Sequence, residues 1–347
     1  MAEKNVPGLL VYGDPTSNGP VTYLTNYPCF GLGRRATVAL GMTEGPFLFT
    51  AEPSRNLPKV RLLTTCDLEK TRQFLPMGCD RVRKLAGNRR IGLVGMANLP
   101  AGLVKDAAGL NGLEAEDISA DFSVLMAAKD ASALQAQRRA VGLAEEGFLV
   151  LSEQAATGKD LWEIAAYVDY RLRLAGCEDT NILLGSSAGG WMRPGYPTHV
   201  YPQPGEKLIA YIAVQCGRLW GVAGRTLSVG AADAGLDGKL KLIVAVQKKA
   251  AVSIKAGMTL SAVEATILAI GREAGLTFAI DMPLATGVGF DLHEYPQQGE
   301  DRVTKNSVLQ VALTVDFEAG LTVMLIDMLH VQDHDSIWLT GRPNFES

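Results

Sequence analysis

Gly158-Lys-Asp-Leu-Trp-Glu-Ile-Ala-Ala-Tyr-Val168 and Gly257-Met-Thr-Leu-Ser-Ala-Val-Glu-Ala-Thr-Ile267 read as two copies of one helix start. Each opens on a glycine, and a second glycine follows eighteen residues later, Gly176 in the first copy and Gly275 in the second. That spacing suits a helix of about four turns closed by a residue free to turn left-handed. The copies are offset by ninety-nine residues, so Leu161 matches Leu260, Ile164 matches Val263 and Ala166 matches Ala265. A long helical stretch precedes each copy, Ala133–Ala156 and about Lys239–Ala256, and strand-like runs follow. A duplicated helix-helix-strand unit predicts two halves about a pseudo-twofold axis with a cleft between them.

Upstream of the repeat the pattern changes. Gly8–Tyr12, Ala36–Leu40, Pro46–Thr50 and Arg90–Val94 are short apolar runs of strand length, and Gly13-Asp14-Pro15 signals a turn. Leu68–Leu75 and Leu99–Ala108 are expected as helices between and after them. Alternating strands and helices predict a separate α/β domain. Polar residues at Asp117–Asp121 then give way to a helix from about Lys129 to Thr157, with Leu134, Val141, Phe148 and Leu151 at helical intervals. The boundary is placed near Ser123, giving domains 1–123 and 124–347.

Composition narrows the function. Hydrophobic residues are 47% and charged residues 20% of 347, as in ordinary globular proteins. The 33 basic residues are scattered within a net charge of -4, which argues against a nucleic-acid partner. No run approaches the ~20 apolar residues that cross a bilayer, so no membrane partner is expected. Met1-Ala-Glu-Lys-Asn5 lacks the basic-then-apolar pattern of a signal peptide. The five cysteines (Cys29, Cys66, Cys79, Cys177, Cys216) include no C-x-x-C pair, which argues against a disulfide framework and a thiolate zinc site. A cytoplasmic protein is the expectation.

The segments Val21–Tyr27, Phe122–Arg139, Gly158–Ile164, Thr198-His199, Arg225-Thr226 and Gly287–Pro296, taken together and in that order, resemble those of the creatinase, prolidase and aminopeptidase P family. Val21-Thr-Tyr-Leu-Thr-Asn-Tyr27 resembles a segment of its N-terminal domains, and Phe122–Arg139 its inter-domain segment. Gly158-Lys-Asp-Leu-Trp-Glu-Ile164 is similar to its Gly-x-x-E-x-E-I helix start. Thr198-His199 followed by Pro204-Gly205-Glu206, then Arg225-Thr226, then Gly287-Val-Gly-Phe-Asp-Leu-His293-Glu294-Tyr-Pro296, fall in the family's order. The resemblance implies an α/β (α+β) fold: a creatinase-like N-terminal domain followed by a duplicated pita-bread domain with pseudo-twofold symmetry. It also implies a homodimer.

Peptidases of that family hold two metal ions with Asp, Asp, His, Glu and Glu. In this chain the matching positions are Tyr211, Val222, Thr286 and, by a looser alignment, Ala312 and Ile326. None offers the carboxylate or imidazole donor that such a pair of divalent ions takes, so no metal and no cofactor is expected. Without metal, a water keeps a pKa of about 15.7, and hydrolysis of an unactivated peptide bond is not expected.

Side chains alone then carry any chemistry. The resemblance makes His199 the acid/base candidate, and His293 a second catalytic candidate that handles substrate. An imidazole titrating near ~6.5 both accepts and donates a proton at neutral pH. Arg193 and Arg225 are candidates for an anionic group, Trp191, Tyr196 and Tyr211 for an aromatic wall, and Thr286 for a further substrate contact. Gly185-x-Ser187-x-Gly189 spells a hydrolase elbow, but Trp-Met-Arg-Pro-Gly-Tyr-Pro197 cannot form the helix that the elbow needs. Two readings stay open: a metal-independent hydrolase or lyase acting on a small polar C–N-containing molecule, and a catalytically inactive binding protein.

Overall fold

Short apolar runs in the first hundred residues find each other as a sheet. In this computed structural model, residues 1–28, 35–64, 66–87, 89–279, 282–317 and 320–341 are described. The chain divides into two compact units, Met1–Met126 and Ala127–Ser347.

In chain order the first unit contains β1 (Gly8–Gly13), α1 (Gly19–Thr25), β2 (Ala36–Gly41), β3 (Phe47–Thr50), α2 (Leu57–Leu63) and β4 (Asp67–Lys70). There follow α3 (Phe74–Ala86), β5 (Ile91–Val94), β6 (Ala115–Asp117) and α4 (Ser119–Ala127). The sheet runs β4-β3-β2-β1-β5-β6, antiparallel across β3-β2-β1 and parallel at both ends. β1 is buried along its whole length, and α3 covers the sheet through Leu75, Cys79, Val82 and Ala86.

The helix expected over Leu68–Leu75 is absent. Asp67–Lys70 pairs in parallel with Phe47–Thr50, and the helix begins only at Phe74. The edge strand lies mostly exposed and charged, so it lacks the alternating apolar pattern that marks a strand in a sequence. Ala101–Leu110 forms 3-10 turns where a helix over Leu99–Ala108 was expected.

The second unit carries the duplication. It contains α5 (Ala131–Ala155), α6 (Leu161–Leu174), β7 (Asp179–Ser186), β8 (Trp191–Gly195), β9 (Lys207–Cys216) and β10 (Leu219–Ser228). Then come α7 (Ala234–Ser253), α8 (Leu260–Glu273), β11 (Ala285–Gly287), β12 (Val308–Asp316), β13 (Thr322–Val331) and β14 (Ser336–Trp338). Helices α6 and α8 start and end at matching positions, and all four punctuating glycines (158, 176, 257 and 275) have positive φ, from 71° to 94°. Ile164 and Val263 match and are both fully buried, each stabilising the fold by about 1.5–3 kcal/mol.

One antiparallel core joins the halves. The sheet order is β11-β12-β13-β10-β9-β7-β8, with β14 on β13. Hairpins β9-β10 and β12-β13 meet where Gly224 opposes Ile326 and Arg225 opposes Leu325. α5 and α6 cover one half through Ala140, Leu151, Ile164 and Ile212, and α7 and α8 cover the other through Ile243, Val263, Leu313 and Leu325. Gly221 lets α5 lie directly on β10, since a Cβ there would sit 2.2 Å from the backbone nitrogen of Val141.

Candidate functional site

The sheet register gathers the aligned metal-ligand positions onto one face. Tyr211 opposes Gly224, Gly224 opposes Ile326, and Ile326 opposes Ala312, a row across four strands. Directly opposed residues in antiparallel strands share a face, as do residues two apart on one strand. Val222 therefore joins that face beside Gly224, and Gln310 joins it beside Ala312. Thr286 opposes Gln310 and completes the set.

This face is apolar and closed. Tyr211, Val222, Ala312 and Ile326 all belong to one cluster with Met192, Ile209, Val288, Met324 and Met328. Val222 and Ile326 are fully buried, and Tyr211, Ala312 and Thr286 nearly so. The Tyr211 hydroxyl donates to Gln310 Oε1 at 3.2 Å, and burial pushes its phenol well above the ordinary range. Gly224 has no room for a side chain: a Cβ would lie 2.7 Å from Ile326 Cγ1. Among the described residues no three His, Cys, Asp or Glu side chains come together as a metal site. A protonated phenol, a hydroxyl and three hydrocarbon side chains do not fit a dinuclear metal centre.

The two nearby carboxylates are already engaged. Asp316 Oδ2 accepts from Arg193 Nη2 at 2.6 Å, and Asp327 Oδ1 accepts from Arg225 Nη2 at 2.6 Å. Arg225 is buried and also donates to the carbonyls of Gly224 and Ile326, each at 2.7 Å. Both arginines thus tie strands together. Glu145, on α5, is half-buried and interacts with Arg225, Asp327 and the backbone N–H of Gly341. Burial is the chief influence and pushes its carboxyl up to about 7.

His199 lies in the loop between β8 and β9. Its ring is 80% exposed, but Nδ1 lies 2.7 Å from Oδ2 of Asp160, whose side chain is only 5% exposed. Asp160 is also the N-cap of α6. Its Oδ1 accepts the Glu163 N–H at 2.8 Å, and Glu163 Oε2 accepts the Asp160 N–H at 3.0 Å, a capping box. The Glu163 N–H first, then His199, hold the Asp160 carboxyl below the usual carboxylate range. In the tautomer that donates from Nδ1–H to the carboxylate, Nε2 carries the ring's free lone pair. Asp160 was absent from the residues singled out in the sequence. The capping spacing Asp-x-x-Glu was visible there, but its contact with a histidine 39 residues away was not.

His293 sits exposed in the loop after β11, and the desolvation its ring meets there pushes the imidazole below the ordinary value. Next to it Glu294 is buried against Lys129. Burial pushes the Glu294 carboxyl up, while Lys129 and the Phe290 N–H pull the other way.

Tyr196 is 83% exposed in the same loop as His199. Trp191 opens β8, but its side chain lies outside the described residues. His330 is buried and makes a 3.3 Å contact with Asn306 Oδ1. After Gly185-x-Ser187-x-Gly189 comes strand β8, so the hydrolase elbow does not form. Burial pushes the Cys216 thiol up, the wrong direction for a nucleophile.

Comparison with known proteins agrees with this architecture. Residues 135–333 match the metallopeptidase family M24. The Xaa-Pro dipeptidase of Pyrococcus horikoshii is 21% identical over 257 residues, 72% of this chain and 71% of that protein. The Xaa-Pro dipeptidase of Pyrococcus furiosus is 21% identical over 222 residues, 63% of this chain and 62% of that protein. Among solved structures, the prolidase from Pyrococcus horikoshii superposes with a TM-score of 0.79 at 18% identity, covering 99% of this chain and 96% of that one. The X-Pro aminopeptidase from Thermotoga maritima also gives 0.79, at 17% identity, covering 99% and 95%.

Proposed function

The chain belongs to metallopeptidase family M24, and from that premise we propose that it works without the dinuclear metal centre of its peptidase relatives. Its remaining chemistry is proton transfer at His199. One observation carries this reading, the 2.7 Å contact that fixes His199 Nδ1 on the buried Asp160 carboxylate. The carboxylate sets the tautomer, leaves Nε2 facing outward as a base, and stabilises the imidazolium formed when a proton arrives. The substrate is a small polar molecule with an activated C–N bond, cleaved by hydrolysis or elimination. Tyr196, exposed in the same loop, supplies an aromatic contact. His293, exposed in the loop after β11, orients the bound molecule. Tyr211, Thr286, Arg193 and Arg225 support the site through packing and ion pairs. The molecule is taken to be a cytoplasmic homodimer, and sedimentation as a monomer at micromolar concentration would overturn the pairing.

A second reading, a catalytically inactive binding protein, is favoured by a different observation. The face that aligns with the metal centre is sealed by Tyr211, Val222, Ala312 and Ile326. One experiment separates the two readings. Small amides, guanidino compounds and proline-containing dipeptides are screened with wild type and His199→Ala in parallel. Turnover lost by about 10²–10⁴-fold in the variant supports the acid/base role. Equal residual activity removes His199 from the mechanism, and binding without turnover establishes the inactive reading.

A further inference from the structure

Lys129 and Glu294 form a pair whose side chains are 0% and 4% exposed, far apart in sequence and at the base of the loop that carries His293. Lys129 Nζ donates to Glu294 Oε1 and to the Ala127 carbonyl, the latter at 3.1 Å, and lies 5.7 Å from the Phe290 ring. Glu294 Oε2 accepts the Phe290 N–H at 2.9 Å, closing the loop on itself. Gly289 makes room for the pair, since a Cβ there would fall 2.5 Å from Lys129 Cε and 2.2 Å from Glu294 Oε1.

Other bonds clamp the same loop from outside. Gln137 Nε2 donates to the Val288 carbonyl at 2.8 Å, and the Trp220 N–H donates to the Gly289 carbonyl at 2.8 Å. At its base the Glu294 N–H donates to the Gly287 carbonyl at 3.0 Å, and the Gly287 N–H to the Pro296 carbonyl at 2.8 Å. Hydrocarbon side chains of similar volume stabilise such a spot as well as a buried ion pair does, because desolvation offsets the Coulomb gain. Hydrocarbon packing, however, tolerates several arrangements, whereas this pair and its extra hydrogen bonds are satisfied in one.

We propose that Lys129 and Glu294 are positioning residues, fixing the backbone from Gly287 to Pro296 so that the His293 imidazole meets the bound molecule in one orientation. This rests on the reading that His293 handles the substrate. Its test needs no substrate and no turnover, so it fails or succeeds separately from the His199 assay.

The test follows the His293 ring protons by NMR titration in wild type, Glu294→Gln and the apolar double variant Lys129→Met/Glu294→Met. The double variant removes both charges together and is expected to fold. If the pair fixes the ring's setting, the His293 ring shifts and titration midpoint move away from the wild-type values in both variants while circular dichroism stays native. An unchanged midpoint in a folded double variant overturns the proposal. Should the variants fail to fold, hydrogen exchange in the wild-type protein decides it. A fixed loop requires the Phe290 and Glu294 amides to exchange as slowly as those of strand β12. Exchange of both at the rate of an open surface loop overturns it. Separately, His293→Ala with unchanged ligand binding would remove the functional reading and leave the positioning result standing.

Discussion

Returning one family carboxylate to its position, as Val222→Asp, tests whether the aligned metal face has become hydrophobic core. Val222 is fully buried within a cluster of Tyr211, Ala312, Ile326 and three methionines. Losing the buried isopropyl group costs roughly 2 kcal/mol. The new carboxyl finds neither a cation nor a metal donor set around it, so it stays protonated when folded. Protonating an acid of unfolded pKa ~3.9 at pH 7 costs about 4 kcal/mol. The sum, about 6 kcal/mol, approaches the whole stability of an ordinary domain, ~5–15 kcal/mol. Urea unfolding of wild type, Val222→Ala and Val222→Asp at several pH values separates the parts. Val222→Ala carries only the packing loss. The extra loss in Val222→Asp shrinks as pH falls toward ~4, where the acid is neutral in both states. Added Mn, Co or Zn leaves every midpoint where it was. A Val222→Asp protein within ~1 kcal/mol of Val222→Ala at pH 7, or one stabilised selectively by those metals, would refute the reasoning.

Three further outcomes follow from the same geometry. Glu145 has a folded pKa of about 7, raised by burial, so the folded chain holds this proton more tightly than the unfolded chain. Its stability contribution is full below about pH 4 and is lost as pH rises to about 7. Because the group is part-exposed and screened, the loss is only about 1–2 kcal/mol. Glu145→Gln should therefore gain on wild type between pH 5 and pH 8 in urea titrations, and a constant difference would count against this. Gly224→Ala places a methyl 2.7 Å from Ile326 and should cost about 1–3 kcal/mol, read as a lowered unfolding midpoint. Asp160→Asn keeps a capping oxygen, so stability should move by only a few tenths of a kcal/mol, against about 1 for Asp160→Ala. Any turnover found should nonetheless fall in both, and retention of full activity in Asp160→Asn would show that His199 does not need the carboxylate's charge.

The duplicated helices were readable because two local signals coincide there, apolar residues at helical spacing and glycines that must turn left-handed at both ends. β4 was not, because Asp67–Lys70 is ordered by pairing with β3 rather than by any pattern of its own. Helix α3 was also missed, although Gly87 at φ 59° closes it in the usual way. At the site, the exchange of ligand residues for Tyr211, Val222 and Thr286 could be read from motif order. That their side chains share one sealed face, with Gln310 beneath Tyr211, depends on strand register. The Asp160–His199 and Lys129–Glu294 contacts join residues 39 and 165 apart, and no local pattern announces either.

The row Tyr211–Gly224–Ile326–Ala312 also has a consequence for descent. A lineage that fills such a face with hydrocarbon closes the path behind it. Each carboxylate restored alone lands in oil beside neighbours that cannot answer it, and Gly224 offers no slack against Ile326. A metal-binding arrangement here would need changes on several strands together, since each carboxylate placed alone meets the kind of burial cost worked out for Val222→Asp. New polar chemistry meets less resistance in exposed loops, such as the one where His199 and Tyr196 face water.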